Sequence, residues 1–225
     1  MALLRALARA TMKALPRLPP PPMHFRPVTL ALAAVAALVA TGALLATGPA
    51  QATPEEPPRA ALEEARKAAT ELVTSVRGEL VKAIEASGPL RAIAVCKYAV
   101  PEIASSVSRK FGARVMRVTL TPRNPALGGA DAWEQKVLMG FDERVARGEK
   151  ADGMEQYEVV NEPAGKFMRY ARALPVQPVC MNCHGPAEQL SESIRNQLGH
   201  DYPHDRALGS AVGKVRGAVS YKKPL

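Results

Sequence analysis

Close to its C-terminal end the chain reads VCMNCHG, residues 179–185, which holds two of the three cysteines in 225 residues. Cys180 and Cys183 stand three apart, and His184 follows at once. Thiols at that spacing can add across the two vinyl groups of a haem while the neighbouring imidazole meets the iron, so C-x-x-C-H is the attachment signature of a c-type haem. Two other chemistries use the same donors. Zinc takes four ligands, and Cys180, Cys183, His200 and His204 could make up a Cys₂His₂ set. The cysteine pair alone could cycle between dithiol and disulfide, although such a pair usually opens a helix after a first strand and this one comes late. On the haem reading, the second axial position is open to Met, His or a Cys thiolate. His200, His204, the methionines and Cys96 are the candidates, and spacing does not choose among them. A lone cysteine such as Cys96 is commonly a small buried hydrophobe. Met116 and Met168 read as core filling within strands, and His200 and His204 as solvated loop residues.

The first 52 residues bear on where that chemistry happens. Arg5, Arg9, Lys13, Arg17 and Arg26 precede an apolar run from Val28 to Ala46, and Ala50 and Ala52 give the small-residue pattern a signal peptidase reads. This predicts a secretory signal over 1–52, cleaved after Ala52, with translation starting at Met23 because the proline run before it serves no signal. The competing reading is an uncleaved N-terminal membrane anchor, since the run is borderline in length for a bilayer. Five of the 30 Lys and Arg lie in this stretch and none of the 21 Asp and Glu, so the formal net charge falls from +9 to +4 without it. No basic cluster interleaved with aromatics remains, which argues against a nucleic-acid partner. Export places the protein in the periplasm, where c-type haem is attached and an unprotected thiol pair would be oxidised.

The remaining residues must position these donors, and they suit one domain. Residues 53–60 read as a flexible lead-in and 61–225 as the domain. Leu62, Ala65, Ala69, Leu72, Val76, Leu80 and Ile84 recur at helical spacing, predicting a long first helix over 59–86 that SGP at 87–89 ends. A second helical piece over 89–100 carries Cys96, and Pro101 opens a third that Gly112 closes. Residues 113–121 alternate as a strand, and 122–129 read as a loop. A helix over 131–149 is capped by Asp131 and presents Trp133, Val137, Leu138 and Phe141. A hairpin turns at NEPAG, VCMNCHG is a loop, 186–199 is a short polar helix, and GAVSYKK is the last strand. The order predicts an α+β fold, a mostly antiparallel sheet with helices on one side.

The blocks AVCKYAVPEIA, RNPA, DAWEQKVLMGF, CMNCHG and YPHDRALGSAVGKVRGAVS, in that order, resemble a family long labelled a domain of unknown function. Its members are exported c-type haem-binding proteins with a PAS-like fold, found alone and as sensor-kinase ectodomains. The resemblance runs from about Leu62 to Ser220. It implies a PAS-like antiparallel sheet with one c-type haem, Cys180 and Cys183 as thioether positions and His184 as the proximal iron ligand. It further implies that Cys96 is the distal ligand. Arg123 could pair with a haem propionate or act as a turn residue capping the next helix, and Tyr202 and Arg206 could line the haem edge. The function expected is that of a periplasmic monohaem protein sensing redox state or a small diatomic ligand, since a thiolate can leave the iron on reduction. Its signal would pass to a separate redox or signalling protein. A soluble electron-transfer cytochrome c is the alternative, and a zinc-binding structural module a more remote one. No acid–base set for an enzyme is evident, and the long first helix leaves dimerisation open.

Overall fold

The computed structural model describes residues 55–225; the expected signal and the first two residues of the lead-in lie outside the described residues. Four strands, β1 (Arg114–Val118), β2 (Glu155–Glu162), β3 (Gly165–Pro175) and β4 (Val215–Pro224), form one antiparallel sheet in the order β1-β4-β3-β2. The expected hairpin is β2–β3, with Glu162 opposite Gly165. The last strand sits in the middle of the sheet, with Val219 opposite both Arg117 of β1 and Arg172 of β3.

Helix α1 (Arg59–Ala94) lies across one face. Its Leu62, Ala65, Ala68, Ala69 and Leu72 pack against Met168, Tyr170, Val219 and Tyr221. The alanines between the two leucines let the helix approach the sheet closely, and the two tyrosines reach one acidic residue on β2 and one on the helix. Tyr170 donates to Glu155 at 3.0 Å and Tyr221 to Glu64 at 2.5 Å. The expected break at residues 87–89 is present: Gly88 has φ +75° and ψ 172°, a backbone state that other residues rarely adopt, and Pro89 starts the second limb.

Helices do not stay on one side of the sheet. Helix α4 (Ala132–Ala146) covers the opposite face, where Val137, Leu138 and Phe141 meet Val118, Ala171, Ala173 and Ala218. The reason lies in β3 and β4, which are apolar on both faces, so a single layer of helices would leave one of them in water. Asp131 caps α4 in a reciprocal box with Glu134, as its sequence predicts. Glu134 is fully buried, yet it accepts from Ser220 at 2.6 Å and from Arg114 at 2.9 Å.

Candidate functional site

The wall that carries Cys96 is continuous helix. A π-helical turn over Val95–Ala99, closed by the Val100 N–H on the Val95 carbonyl, joins the second limb of α1 to α2 (Val100–Phe111). Pro101 has no N–H to give the Lys97 carbonyl, so the regular ladder fails here and the wider ring spans the gap. Gly112 closes α2 in the left-handed conformation, as expected. Cys96, Val100 and Ala104 line a cleft of about 330 Å³ whose far side is β1. Lys97, just after Cys96, is tied to Asp201 at 2.6 Å. That contact holds the π turn to the end of α6 (Glu192–Asp201).

The cysteine–histidine motif is helical rather than a loop. A 3₁₀ turn over Pro178–Cys180 leads into α5 (Met181–His184), after α3 (Pro125–Gly128), a single turn capped by Asn124, has formed the opposite rim. Pro178 favours the first turn, and one turn of helix brings Cys180 and His184 to the same side. The loop between α6 and β4 then folds over the motif. Ser210 N–H donates to the His184 carbonyl at 2.8 Å, and Gly209 N–H to the Gly185 carbonyl at 3.0 Å. Arg123 donates to the carbonyl of Cys183 and, at 3.0 Å, to Asp205, in an ion pair hidden from solvent on both sides. Asp205 also accepts the Ala207 N–H at 2.7 Å.

His184 lines the same cleft as Cys96. Its Nδ1 lies 3.0 Å from the Ala207 carbonyl and 3.3 Å from Nε of Arg216. One nitrogen cannot donate to the first and accept from the second. The carbonyl contact is shorter and puts the proton on Nδ1, which leaves Nε2 with a lone pair for a metal. Burial, with the charges of Arg123 and Arg216, pushes the imidazole down to about 2, so it is neutral at any physiological pH. Burial also raises the thiol of Cys183, which packs beside Ile93, Ile194 and Tyr202.

Arg216, on β4, is the residue the sequence reading passed over. It is 7% exposed and donates to Thr119 Oγ1 at 3.1 Å and to the Thr121 carbonyl at 3.4 Å. Burial and the neighbouring Arg117 and Arg123 lower it to about 10, which still leaves it charged at neutral pH. The next residue is Gly217, φ +153°, where a side chain would collide with the Val118 carbonyl oxygen. That close approach of β4 to β1 sets Arg216 beneath the cleft. Nothing local in VRG marks this, because its meaning depends on His184, 32 residues earlier.

The other expected residues divide. Tyr202 lines the cleft under Arg123, 5.9 Å from ring centre to guanidinium carbon, whereas Arg206 is exposed and outside the lining. Met168 is core, and Met116 packs into the α4 layer. Among the described residues no three His, Cys, Asp or Glu side chains converge as a metal set, so His200 and His204 do not join the cysteine pair. The residues present do fit a c-type haem. Cys180 and Cys183 are free thiols on one helical segment, His184 has its outer nitrogen satisfied, and the cleft has an apolar wall with Arg117 and Arg123 available to carboxylates.

Together these features define a PAS-like α+β domain: a four-stranded antiparallel sheet, flanking helices, a long N-terminal helix and a cleft lined by Cys96 and by the histidine of the cysteine–histidine motif. The chain belongs to the Tll0287-like family, whose model matches residues 55–224. Among solved structures it is similar to the cyanobacterial heme-protein Tll0287, at 24% identity and a TM-score of 0.57, covering 75% of this chain and 97% of that one. No curated protein matches the chain.

Proposed function

We propose that this is an exported, periplasmic monohaem c-type protein that senses redox state or a small diatomic ligand through iron held between His184 and Cys96. The observation that carries the reading is that Cys96 and the histidine of the C-x-x-C-H motif, 88 positions apart along the chain, line one cleft. The related structure's description as a heme-protein supports the cofactor. Bound here, a haem would supply a one-electron couple and an iron for which a small ligand could compete. Cys180 and Cys183 would carry it covalently. Ala207 and Asp205 fix the imidazole ring, so His184 stays in place through a redox change. Cys96 is held differently: it stands on a π turn that interrupts the regular helix, with no hydrogen bond, among the described residues, to the loop that fixes His184. Loss of the sulfur contact would free that turn and the Lys97–Asp201 contact beside it. A ligand carried on an irregular turn, together with the readiness of a thiolate to leave iron on reduction, favours sensing over fixed electron transfer.

A pyridine haemochrome assay on the exported protein tests for covalent haem. Ferric EPR of C96A tests the distal ligand: the low-spin thiolate signature should vanish, and an unchanged spectrum refutes the assignment. Ferrous protein should then bind CO or NO rapidly; inertness with fast electron exchange identifies a carrier instead.

A further inference from the structure

Arg216 is a buried cation in the cleft that, among the described residues, hydrogen-bonds to the neutral Thr119 hydroxyl and Thr121 carbonyl and lies with its Nε 3.3 Å from Nδ1 of the His184 ring. Asp205 is the carboxylate it senses most, and Asp205 is already paired with Arg123. A guanidinium kept out of water without a counter-charge is costly, so its place against the imidazole calls for a reason. Thr119 holds it there from both ends, since its hydroxyl accepts from the guanidinium and donates to the Arg216 carbonyl at 2.9 Å.

We propose that Arg216 is a positioning residue that keeps a fixed positive charge behind the proximal imidazole and so raises the reduction potential of iron ligated by His184. The inference rests on the reading of His184 and Cys96 given above. One electron entering such a centre lowers its charge by one unit and requires no bond to break at His184. A cation close to the ring stabilises the more negative state, and in a buried site that attraction is weakly screened. A thiolate ligand pulls the other way by favouring the ferric state. Arg216 thereby offsets part of the effect of Cys96, and the midpoint is set by the two together.

Spectroelectrochemical titration of haem-loaded wild type, R216Q and R216K tests this. Glutamine keeps an N–H for Thr119 without the charge; lysine keeps the charge without the planar fork. R216Q should shift the one-electron equilibrium at least tenfold toward the oxidised state, a fall in midpoint of about 59 mV, while R216K stays within half that shift of wild type. An unchanged midpoint in R216Q overturns the proposal, as does an equal fall in R216K. If R216Q fails to load haem, T119V decides, because it frees the guanidinium from its anchor: a smaller fall supports the proposal and no fall overturns it. Absence of covalent haem from wild type sinks the reading of the site and this inference with it. Covalent haem with a charge-independent midpoint sinks this inference alone.

Discussion

Asp205 divides its carboxylate between the Arg123 guanidinium and the Ala207 N–H, and the Ala207 carbonyl holds the ring of His184. The chain of contacts makes Arg123 a support for the histidine, in addition to whatever it offers a cofactor. Removing one member leaves the other charge buried and unpaired, at a cost of about 3–5 kcal/mol. D205A should therefore lower unfolding free energy by that order in a denaturant titration, and R123A by a similar amount. The double variant should lose much less than the sum, since each change removes the same pair; additive losses would show that the two residues act separately. The RNPA block drew attention to Arg123 in the sequence, but its partner lies 82 positions away and leaves no local trace. Cys180, Cys183 and His184 were legible because their spacing is itself the chemistry. Arg216 was not, because an arginine reads as a surface residue until its missing counter-charge is seen.

Helix α1 is fastened to the sheet by polar clasps as well as by its apolar stripe. Arg66 places its Nε 3.2 and 3.1 Å from the two carboxylate oxygens of Glu155, and Lys223 reaches Glu64 at 2.6 Å. Hydrogen bonding from Arg66, with help from Tyr170, holds the Glu155 carboxyl below its ordinary value of 4.5, and Lys223 and Tyr221 do the same for Glu64. A carboxylate depressed in the folded state contributes stability above its unfolded value that is lost as pH falls through the folded one. Acid unfolding followed by far-ultraviolet dichroism should accordingly begin at a higher pH in R66A than in wild type; coincident curves would show that the clasp adds nothing. At Gly88 the backbone state predicts a cost of about 1–3 kcal/mol for G88A, read as a lower thermal midpoint. The break at Gly88-Pro89 and the cap at Asp131 were plain in the sequence, since each is written in the residue that needs it. The π turn was not, because Pro101 reads equally as the first turn of a separate helix and does not show that the two helices run on through it. The helical turn at VCMNCHG was missed for a related reason: four residues are too few to show a period. Helices on both faces followed from β3 and β4 carrying apolar residues to both sides, Met168 and Tyr170 to one and Ala171 and Ala173 to the other, interrupted by arginines that hide the pattern in the sequence.

Across the whole molecule the cleft is bounded by α2 and β1, which share the core beneath α1, and by the α3 turn and α5, which add little to it. A group that binds only the folded state adds stability through that linkage. The haem-free double variant C180A/C183A should melt well below the loaded protein, and amide exchange should rise most along residues 96–108; a melt equal to the loaded protein's would mean the walls support themselves. The sheet order has a consequence in time as well as in space. Synthesis delivers β1, β2, β3 and the cysteine–histidine motif before β4, yet β4 is the strand that joins β1 to the β2–β3 hairpin. Until Val215–Pro224 emerges, β1 has no neighbour in the sheet, Arg216 is absent and the loop that locks His184 has nowhere to anchor. Pairing of the central strand is therefore the step that joins the two parts of the sheet and brings the walls of the cleft together.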